Sequence, residues 1–249
     1  MQKEILKKKG EKVILLGNEA IVRGALESGV QFVSTYPGTP ASEIGNIFYQ
    51  MSRSGQIPKS IYFEYSVNEK IALEAAAGAS FSGLRALVAM KNFGLNVASD
   101  FLYPLVYSGV KGGLVLLVAD DPSCWSSAQS EDNSRGHVFK AHIPTLEPST
   151  PQECKEFIKL AFDFSEKFKI PVMVRETTRV AFQTEIVTLG EIKKGERKAQ
   201  FIKDVRQFVT MPPRVLEKHR ELLEKIKVIR QEISENSSLY YIEGQPAKI

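Results

Sequence analysis

Short, nearly continuous apolar runs alternate along the chain with longer segments whose apolar positions recur at helical spacing. Residues 12–16, 31–34, 60–64, 85–90, 113–119 and 170–175 read as strands. A strand that is apolar throughout, rather than in alternation, is one covered on both faces. The segments between them carry helix signals. Gly17-Asn18 opens a helix that ends at Ser28, with Gly29 as its stop. Thr39 followed by Pro40 predicts an N-cap with proline at the first helical position, and that helix runs to about Met51. Further helices are expected from Glu69 toward Gly83, from about Asn96 to Tyr107, and from Thr150-Pro151 to about Phe168. Regular strand–helix–strand alternation implies right-handed crossovers and a doubly wound, mostly parallel α/β sheet with helices on both faces. The strand tips then gather near one edge: Gly17 to Glu19, Tyr36 to Thr39, Glu64 to Glu69, Lys91 to Gly94, Asp120-Asp121 and Arg175-Glu176. Loops carried by a rigid scaffold are where a site is expected.

The texture divides the chain into a lead-in over residues 1–10, an α/β domain over 11–182 and a charged linker with a C-terminal helix over 183–249. Residues 183–212 are charged and lack a period, and Met211-Pro212-Pro213 breaks the chain. A long helix follows from Val215 to about Glu235. Leu222, Ile226, Ile229 and Ile233 form a seam too short for several heptads, which predicts packing on the domain or a neighbour rather than a free coiled coil. Residues 243–249 read as a linker.

Composition narrows the function classes. With 249 residues, 43% hydrophobic and 25% charged, this is a soluble globular chain of one large or two small domains. The charge of +4 is spread along the chain, so no nucleic-acid partner is expected. Two cysteines, Cys124 and Cys154, with no C-x-x-C, argue against a disulfide framework, a zinc site or an iron–sulfur cluster within the chain. No apolar run reaches membrane-spanning length and Met1-Gln-Lys-Glu does not open a signal peptide, so a cytoplasmic protein with no membrane partner is expected. There is no G-x-G-x-x-G, no G-x-x-x-x-G-K-[ST], no H-E-x-x-H and no G-x-S-x-G. His137 and His142, five apart near Cys124, have the wrong spacing for a metal site.

The most informative stretch runs from Tyr62 to Gly83. Ala72, Ala75, Ala76 and Ala79 share one helical face, where small side chains allow close approach. Glu69 sits in the first turn, at the carboxyl end of the preceding strand, where open α/β sheets bind ligands. Two readings of it stand side by side. Ser66-Val-Asn-Glu69 matches a capping box. The same glutamate could be a carboxylic acid in an apolar, ligand-facing position, with its pKa raised and able to exchange a proton with a bound heterocycle. Glu64 and Glu74, five residues away on either side, fall about 140° around a helix and cannot all share one site with it. Tyr36-Pro-Gly-Thr-Pro40 reads as a turn feeding a helix, and its N–H groups with the Thr39 hydroxyl suit an anion. Lys91-Asn-Phe-Gly94 reads as a solvated loop or as a cation, amide and aromatic at a strand tip.

In order and spacing, Tyr36 to Pro40, Glu69 with Gly78 to Gly83, and Lys91 to Ala98 together resemble the thiamine diphosphate-dependent 2-oxoacid:ferredoxin oxidoreductases, over roughly residues 12–240. Lys91 to Ala98 with Gln129 to Arg135 looks most like the indolepyruvate branch. The resemblance implies the pyrimidine-binding domain of such an enzyme. Glu69 matches the family glutamate that hydrogen-bonds N1′ of the aminopyrimidine and activates the cofactor, which acts as electron sink for decarboxylation. Thr39 matches the threonine near the substrate carboxylate, with Lys91 and Asn92 as further substrate-binding residues. Tyr36, Pro37, Gly38, Phe93 and Asn96 line the cofactor. Where the pyruvate enzymes carry an arginine after the fifth strand, this chain has Asp121, which fits a larger aryl substrate better. The family's G-D-G…N segment, which holds the diphosphate through Mg²⁺, is absent, as are its cysteine-rich cluster motifs. The chain is therefore expected to be a fragment or a separately encoded piece, inactive alone, with no metal ligands of its own. A diphosphate-binding and iron–sulfur domain or chain, a second oxidoreductase subunit, ferredoxin and coenzyme A are the implied partners. The implied reaction converts an arylpyruvate to an aryl-acetyl-CoA with reduction of ferredoxin. Alternatives are another 2-oxoacid, branched-chain or pyruvate, and a non-catalytic assembly or regulatory domain of the same fold.

Overall fold

The computed structural model describes residues 2–126 and 130–235. In chain order its elements are α1 (Gln2–Ile5), β1 (Lys12–Leu16), α2 (Gly17–Glu27), β2 (Phe32–Thr35), α3 (Ser42–Arg53), β3 (Tyr62–Tyr65), α4 (Glu69–Phe81), β4 (Ala86–Lys91), α5 (Asn92–Ser108) and β5 (Leu114–Asp120). A 3₁₀ turn (Pro122–Cys124) follows, then α6 (Arg135–Ala141), β6 (Thr145–Leu146), α7 (Pro151–Phe168), β7 (Val172–Thr177), α8 (Thr178–Phe182), β8 (Thr184–Thr188), α9 (Val205–Phe208) and α10 (Arg214–Glu235). The linker read at 243–249 and the residue Gln129 lie outside the described residues.

Six strands form one parallel sheet in the order β3-β2-β4-β5-β7-β6. Strand periodicity sends successive side chains to opposite faces. On β4, Leu87 and Ala89 join one core with Ile21, Phe48, Ile158 and Phe162 of α2, α3 and α7. Ala86, Val88 and Met90 join the other with Leu73, Ala76, Leu102 and Ile229 of α4, α5 and α10. Every residue of β4 and β5 is buried, which is why these runs carry no polar alternation. The expected doubly wound sheet is therefore present.

Four details differ from the sequence reading. The run at β1 is not in the main sheet. It pairs antiparallel with β8, a strand just past the expected boundary at residue 182 that the charged texture concealed. The burial of this ribbon alternates: Val13 and Leu15 are buried whereas Ile14 is 65% exposed and Ile186 62% exposed. An antiparallel pair can leave one face to water, and here it carries isoleucine there. The two-residue β6 adds an edge to β7. The segment beginning at Lys91 is no loop: α5 starts at Asn92, immediately after β4, four residues earlier than the pattern suggested. The α10 seam packs on the domain as expected, with Leu222 and Ile229 each 3% exposed.

Burial in that seam sets a stability expectation. Leu222→Ala is expected to lower the unfolding free energy by about 2–5 kcal/mol. Leu216→Ala, at a position 62% exposed on the same helix, is expected to change it by less than about 0.5 kcal/mol. Urea denaturation of the two variants checks this. Equal losses would mean that α10 does not seal the second core.

Candidate active site

From β2 the chain steps outward to β3, then returns across β2 to β4. The strand order thus reverses between β2 and β4, and crevices outside the carboxyl ends of strands at such points take ligands. The tips that follow these strands carry the expected residues. At the end of β2 the Thr35 hydroxyl donates to the Ala89 carbonyl at 2.7 Å and fastens β2 to β4. Beyond it, Tyr36 and Pro37 are exposed and Gly38 and Thr39 half-buried. Gly38 is required for closeness, since a Cβ there would sit 2.9 Å from the Lys91 Cβ. The N-cap expected at Thr39 does not form. The Thr39–Pro40 peptide is cis and α3 begins at Ser42 with Ala41 as N-cap. The Pro40 carbonyl accepts from the Asn18 side-chain amide at 2.9 Å, and the Thr39 carbonyl from the Ser126 hydroxyl at 3.1 Å. The backbone is held from both sides, while the Thr39 hydroxyl has no hydrogen-bond partner among the described residues.

Glu69 opens α4 at the tip of β3. The capping-box reading fails. Asn68 is the N-cap, its side chain accepting from the Ile71 N–H at 2.9 Å, and the Ser66 hydroxyl donates to Glu64 instead. Asn has the short acceptor that an N-cap needs, so it displaces Ser66 two residues upstream. Glu69 is left free of capping. Its carboxyl takes no hydrogen bond from another described residue, and burial pushes its pKa up, against a weaker lowering by its own backbone N–H. Its side chain lies on the first turn of α5 at Gly94. A Cβ at that position would meet the Glu69 Cγ at 2.4 Å and Oε1 at 2.6 Å. Glu64 is elsewhere, on the sheet edge, accepting from Tyr62 and Ser66.

At the tip of β4, Lys91 is 6% exposed and Asn92 1% exposed. The Lys91 ammonium lies 4.9 Å above the Phe93 ring. Asn92 turns its amide toward the Asp132 carbonyl at 3.5 Å and leaves its own carbonyl oxygen buried without a partner among the described residues. Asn96, one turn on, donates to the Asp132 carboxylate at 2.9 Å and meets the His137 Nε2 at 2.7 Å. The fold therefore brings Gly38, Thr39, Glu69, Lys91 and Phe93 to one reversal point. It ties the Asn92 and Asn96 side chains to the segment that leads into α6. Among the described residues no group of His, Cys, Asp or Glu is arranged to hold a metal.

Two carboxyls at the β5 and β7 tips, Asp121 and Glu176, were placed near the site by the sequence, but what holds each of them was not. Asp121 accepts from the Thr178 hydroxyl at 2.6 Å, the Ser126 hydroxyl at 2.7 Å, the Ser126 N–H at 2.8 Å and the Trp125 N–H at 3.1 Å. Burial opposes its charge, but the hydrogen bonds from Thr178 and Ser126, helped by Lys91, bring its pKa to about 2. It is a loop clamp. Glu176 is fully buried, both its oxygens lack a partner among the described residues, and burial with the nearby Glu43 charge pushes its pKa well up. Only a charged residue closing an apolar strand signalled it.

The clamp predicts an acid dependence. Because the folded pKa of Asp121 lies below the ordinary 3.8, its contribution to stability is complete above the ordinary value and is lost as pH falls through about 2. Asp121→Asn is expected to flatten the urea midpoint against pH between about 4 and 2 relative to the parent. Parallel slopes in the two proteins would remove the clamp.

Comparison with known proteins agrees with this geometry. The family described as "Pyruvate flavodoxin/ferredoxin oxidoreductase, thiamine diP-bdg" matches residues 23–214. The "Indolepyruvate oxidoreductase subunit IorA" of Methanothermobacter marburgensis is 47% identical over 231 residues, 93% of this chain and 36% of that protein. Its namesake from Pyrococcus abyssi is 48% identical over 249 residues, 97% of this chain and 37% of that protein. The chain thus spans a little over a third of the length of these relatives. A solved 2-oxoglutarate:ferredoxin oxidoreductase from Magnetococcus marinus, with 2-oxoglutarate, coenzyme A and succinyl-CoA bound, superposes with a TM-score of 0.69 at 16% identity, over 90% of this chain and 46% of that one. The last likeness is one of fold, whereas the family match and the identities place the chain by sequence: it belongs to the pyruvate flavodoxin/ferredoxin oxidoreductase family, in its thiamine diphosphate-binding domain.

Proposed function

We propose that this chain supplies the pyrimidine-binding part of an oxidoreductase that decarboxylates an arylpyruvate, indolepyruvate foremost, to an aryl-acetyl-CoA and passes the electrons to ferredoxin. One observation carries the reading: a carboxyl with raised pKa and no hydrogen bond from another described residue, Glu69, packed on a glycine beside the reversal point of the sheet. The residues fit an aminopyrimidine. A ring nitrogen needs a carboxyl that gives up its proton less readily than an ordinary glutamate, and burial shifts Glu69 in that direction.

When bound, thiamine diphosphate supplies the electron sink for the carbanion left by decarboxylation. The remaining work is done by side chains. Glu69 hydrogen-bonds the ring nitrogen and moves a proton to and from it. Gly94 leaves room for that carboxyl. The Thr39 hydroxyl and the Lys91 ammonium, on facing tips, suit the carboxylate of a 2-oxoacid, and Tyr36, Pro37, Gly38 and Phe93 form the surrounding wall. Val67, Ile71 and Val97, respectively 78%, 40% and 49% exposed, make an apolar collar on the elements that hold Glu69. We take these apolar side chains as the seat of a partner domain. A partner domain seated there would exclude water from Glu69. We assign to that partner the Mg²⁺-bound diphosphate, and to it or a second subunit the iron–sulfur clusters that pass electrons to ferredoxin. Alone, this chain is inactive in this reading.

The test uses the complex purified anaerobically with its partners and assayed for viologen reduction with indolepyruvate, coenzyme A, thiamine diphosphate and Mg²⁺. Glu69→Gln is expected to lower turnover by about 100-fold or more while the complex elutes unchanged. Undiminished turnover would leave a non-catalytic domain as the better reading. Gly94→Ala displaces the same carboxyl from the opposite side. It is expected to lower kcat by about 10–100-fold with the protein still folded by circular dichroism, because displacements near 1 Å carry such losses.

A further inference from the structure

Beyond the Asp121 clamp the wall of the site opens into a recess of about 640 Å³, lined among others by Pro122, Ser123, Trp125, Thr178, Arg179 and Phe182. Pockets of about 300–1,000 Å³ are of small-ligand size. Trp125 is the one tryptophan of the chain and is 81% exposed, and Phe182 is 41% exposed. Large aromatic faces left in water at a concave surface are surfaces prepared for an apolar occupant. Among the described residues that line the recess there is no carboxylate, and the charged one is Arg179.

The loop that carries Trp125 is fixed. Asp121 accepts the Trp125 N–H, and the Ser126 hydroxyl bridges from the Asp121 carboxylate to the Thr39 carbonyl. Ser123 and Cys124 both adopt left-handed backbone, with φ of 66° and 55°. Non-glycine residues hold that conformation where their surroundings impose it, and such positions gather at binding sites. The recess and the Thr39 tip therefore share one wall. A molecule whose carboxylate lies at Thr39 and Lys91 can extend its side chain past that wall.

We infer that this recess receives the aryl side chain of the 2-oxoacid, with Trp125 as its stacking platform and Phe182 as a second aromatic wall. The inference rests on the proposed arylpyruvate activity and adds to it the residues that select the substrate. Arg179 at the same recess can lie over the electron-rich face of an indole. An aliphatic side chain leaves both aromatic faces uncovered and gains less.

The assembled complex provides the test, with indolepyruvate and phenylpyruvate compared against 4-methyl-2-oxopentanoate and 2-oxoglutarate. Trp125→Ala is expected to lower kcat/KM for the two arylpyruvates by about 10–200-fold, mostly through KM, and to change the aliphatic acid by less than about threefold. Trp125→Phe is expected to restore most of the loss. Little buried area is removed, so the Tm should hold. If the parent complex turns over arylpyruvates and Trp125→Ala does so equally well, the subsite is wrong and the activity stands. A parallel fall on aryl and aliphatic acids, or a complex that comes apart, makes Trp125 a structural or interface residue and overturns the inference. A parent complex that prefers 2-oxoglutarate, with that preference lost in Arg179→Gln, assigns the recess to a second carboxylate. A parent complex inactive on every arylpyruvate removes both the activity and the subsite.

Discussion

Glu69 can stand where it does because Gly94 has no side chain. Helices α4 and α5 lie on the same face of the sheet and begin at the tips of strands with one strand between them. Their first turns converge until the glutamate of one lies on the backbone of the other. With any larger residue at Gly94 the carboxyl would swing outward into water, and its pKa would return toward that of an ordinary glutamate. The neighbouring geometry follows from the same closeness. Gly38 brings the β2 tip onto Lys91, and the Thr35 hydroxyl fastens β2 to β4 beneath them. The reversal in strand order makes the crevice, and two absent side chains let its walls meet.

Charge around the crevice is arranged by what each carboxyl can find. Asp121 collects four hydrogen-bond donors and stays ionised, so it serves as a fixed point for the loop carrying Trp125. Glu69 finds none among the described residues beyond its own backbone, and Glu176 finds none, so burial decides their state. Acids on neighbouring tips thus divide into one whose pKa is lowered by its donors and two whose pKa is raised by burial.

The doubly wound sheet was legible because residues 86–90, 114–119 and 172–174 are apolar runs that turn polar only at their carboxyl ends, and helix signals separate them. Glu69, Thr39 and Lys91 were legible as tip residues once the alternation was read. The antiparallel place of β1 was not, since Val13-Ile14-Leu15 is as apolar as a buried strand although Ile14 faces water. The start of α5 was missed because the helix takes Lys91, a poor capping residue, as its N-cap and puts Asn92 inside the first turn, while Gly94 ordinarily marks a loop. The choice of Asn68 over Ser66 as N-cap depended on where β3 ended, which the pattern leaves uncertain by a residue or two. The Asp121 clamp joins Thr178, 57 positions away, and no local spacing could announce it.

The ribbon of β1 and β8 has a consequence for how the molecule comes together. Its pairs, from Lys12↔Thr188 to Leu16↔Thr184, join segments on opposite sides of the whole parallel sheet in sequence. The loop between them is the domain itself. Closing so long a loop on five residue pairs wins few contacts for its entropy, so the ribbon depends on the sheet between its strands. It acts as a clasp. Through Gly10 and Leu189 it also holds the lead-in against the segment after β8. Arg23, buried on α2, gathers carbonyls from both sides, those of Ile5, Lys7 and Gly190. This edge of the domain is therefore closed only where residues 12–16 and 184–188 meet, whatever lies between them in sequence.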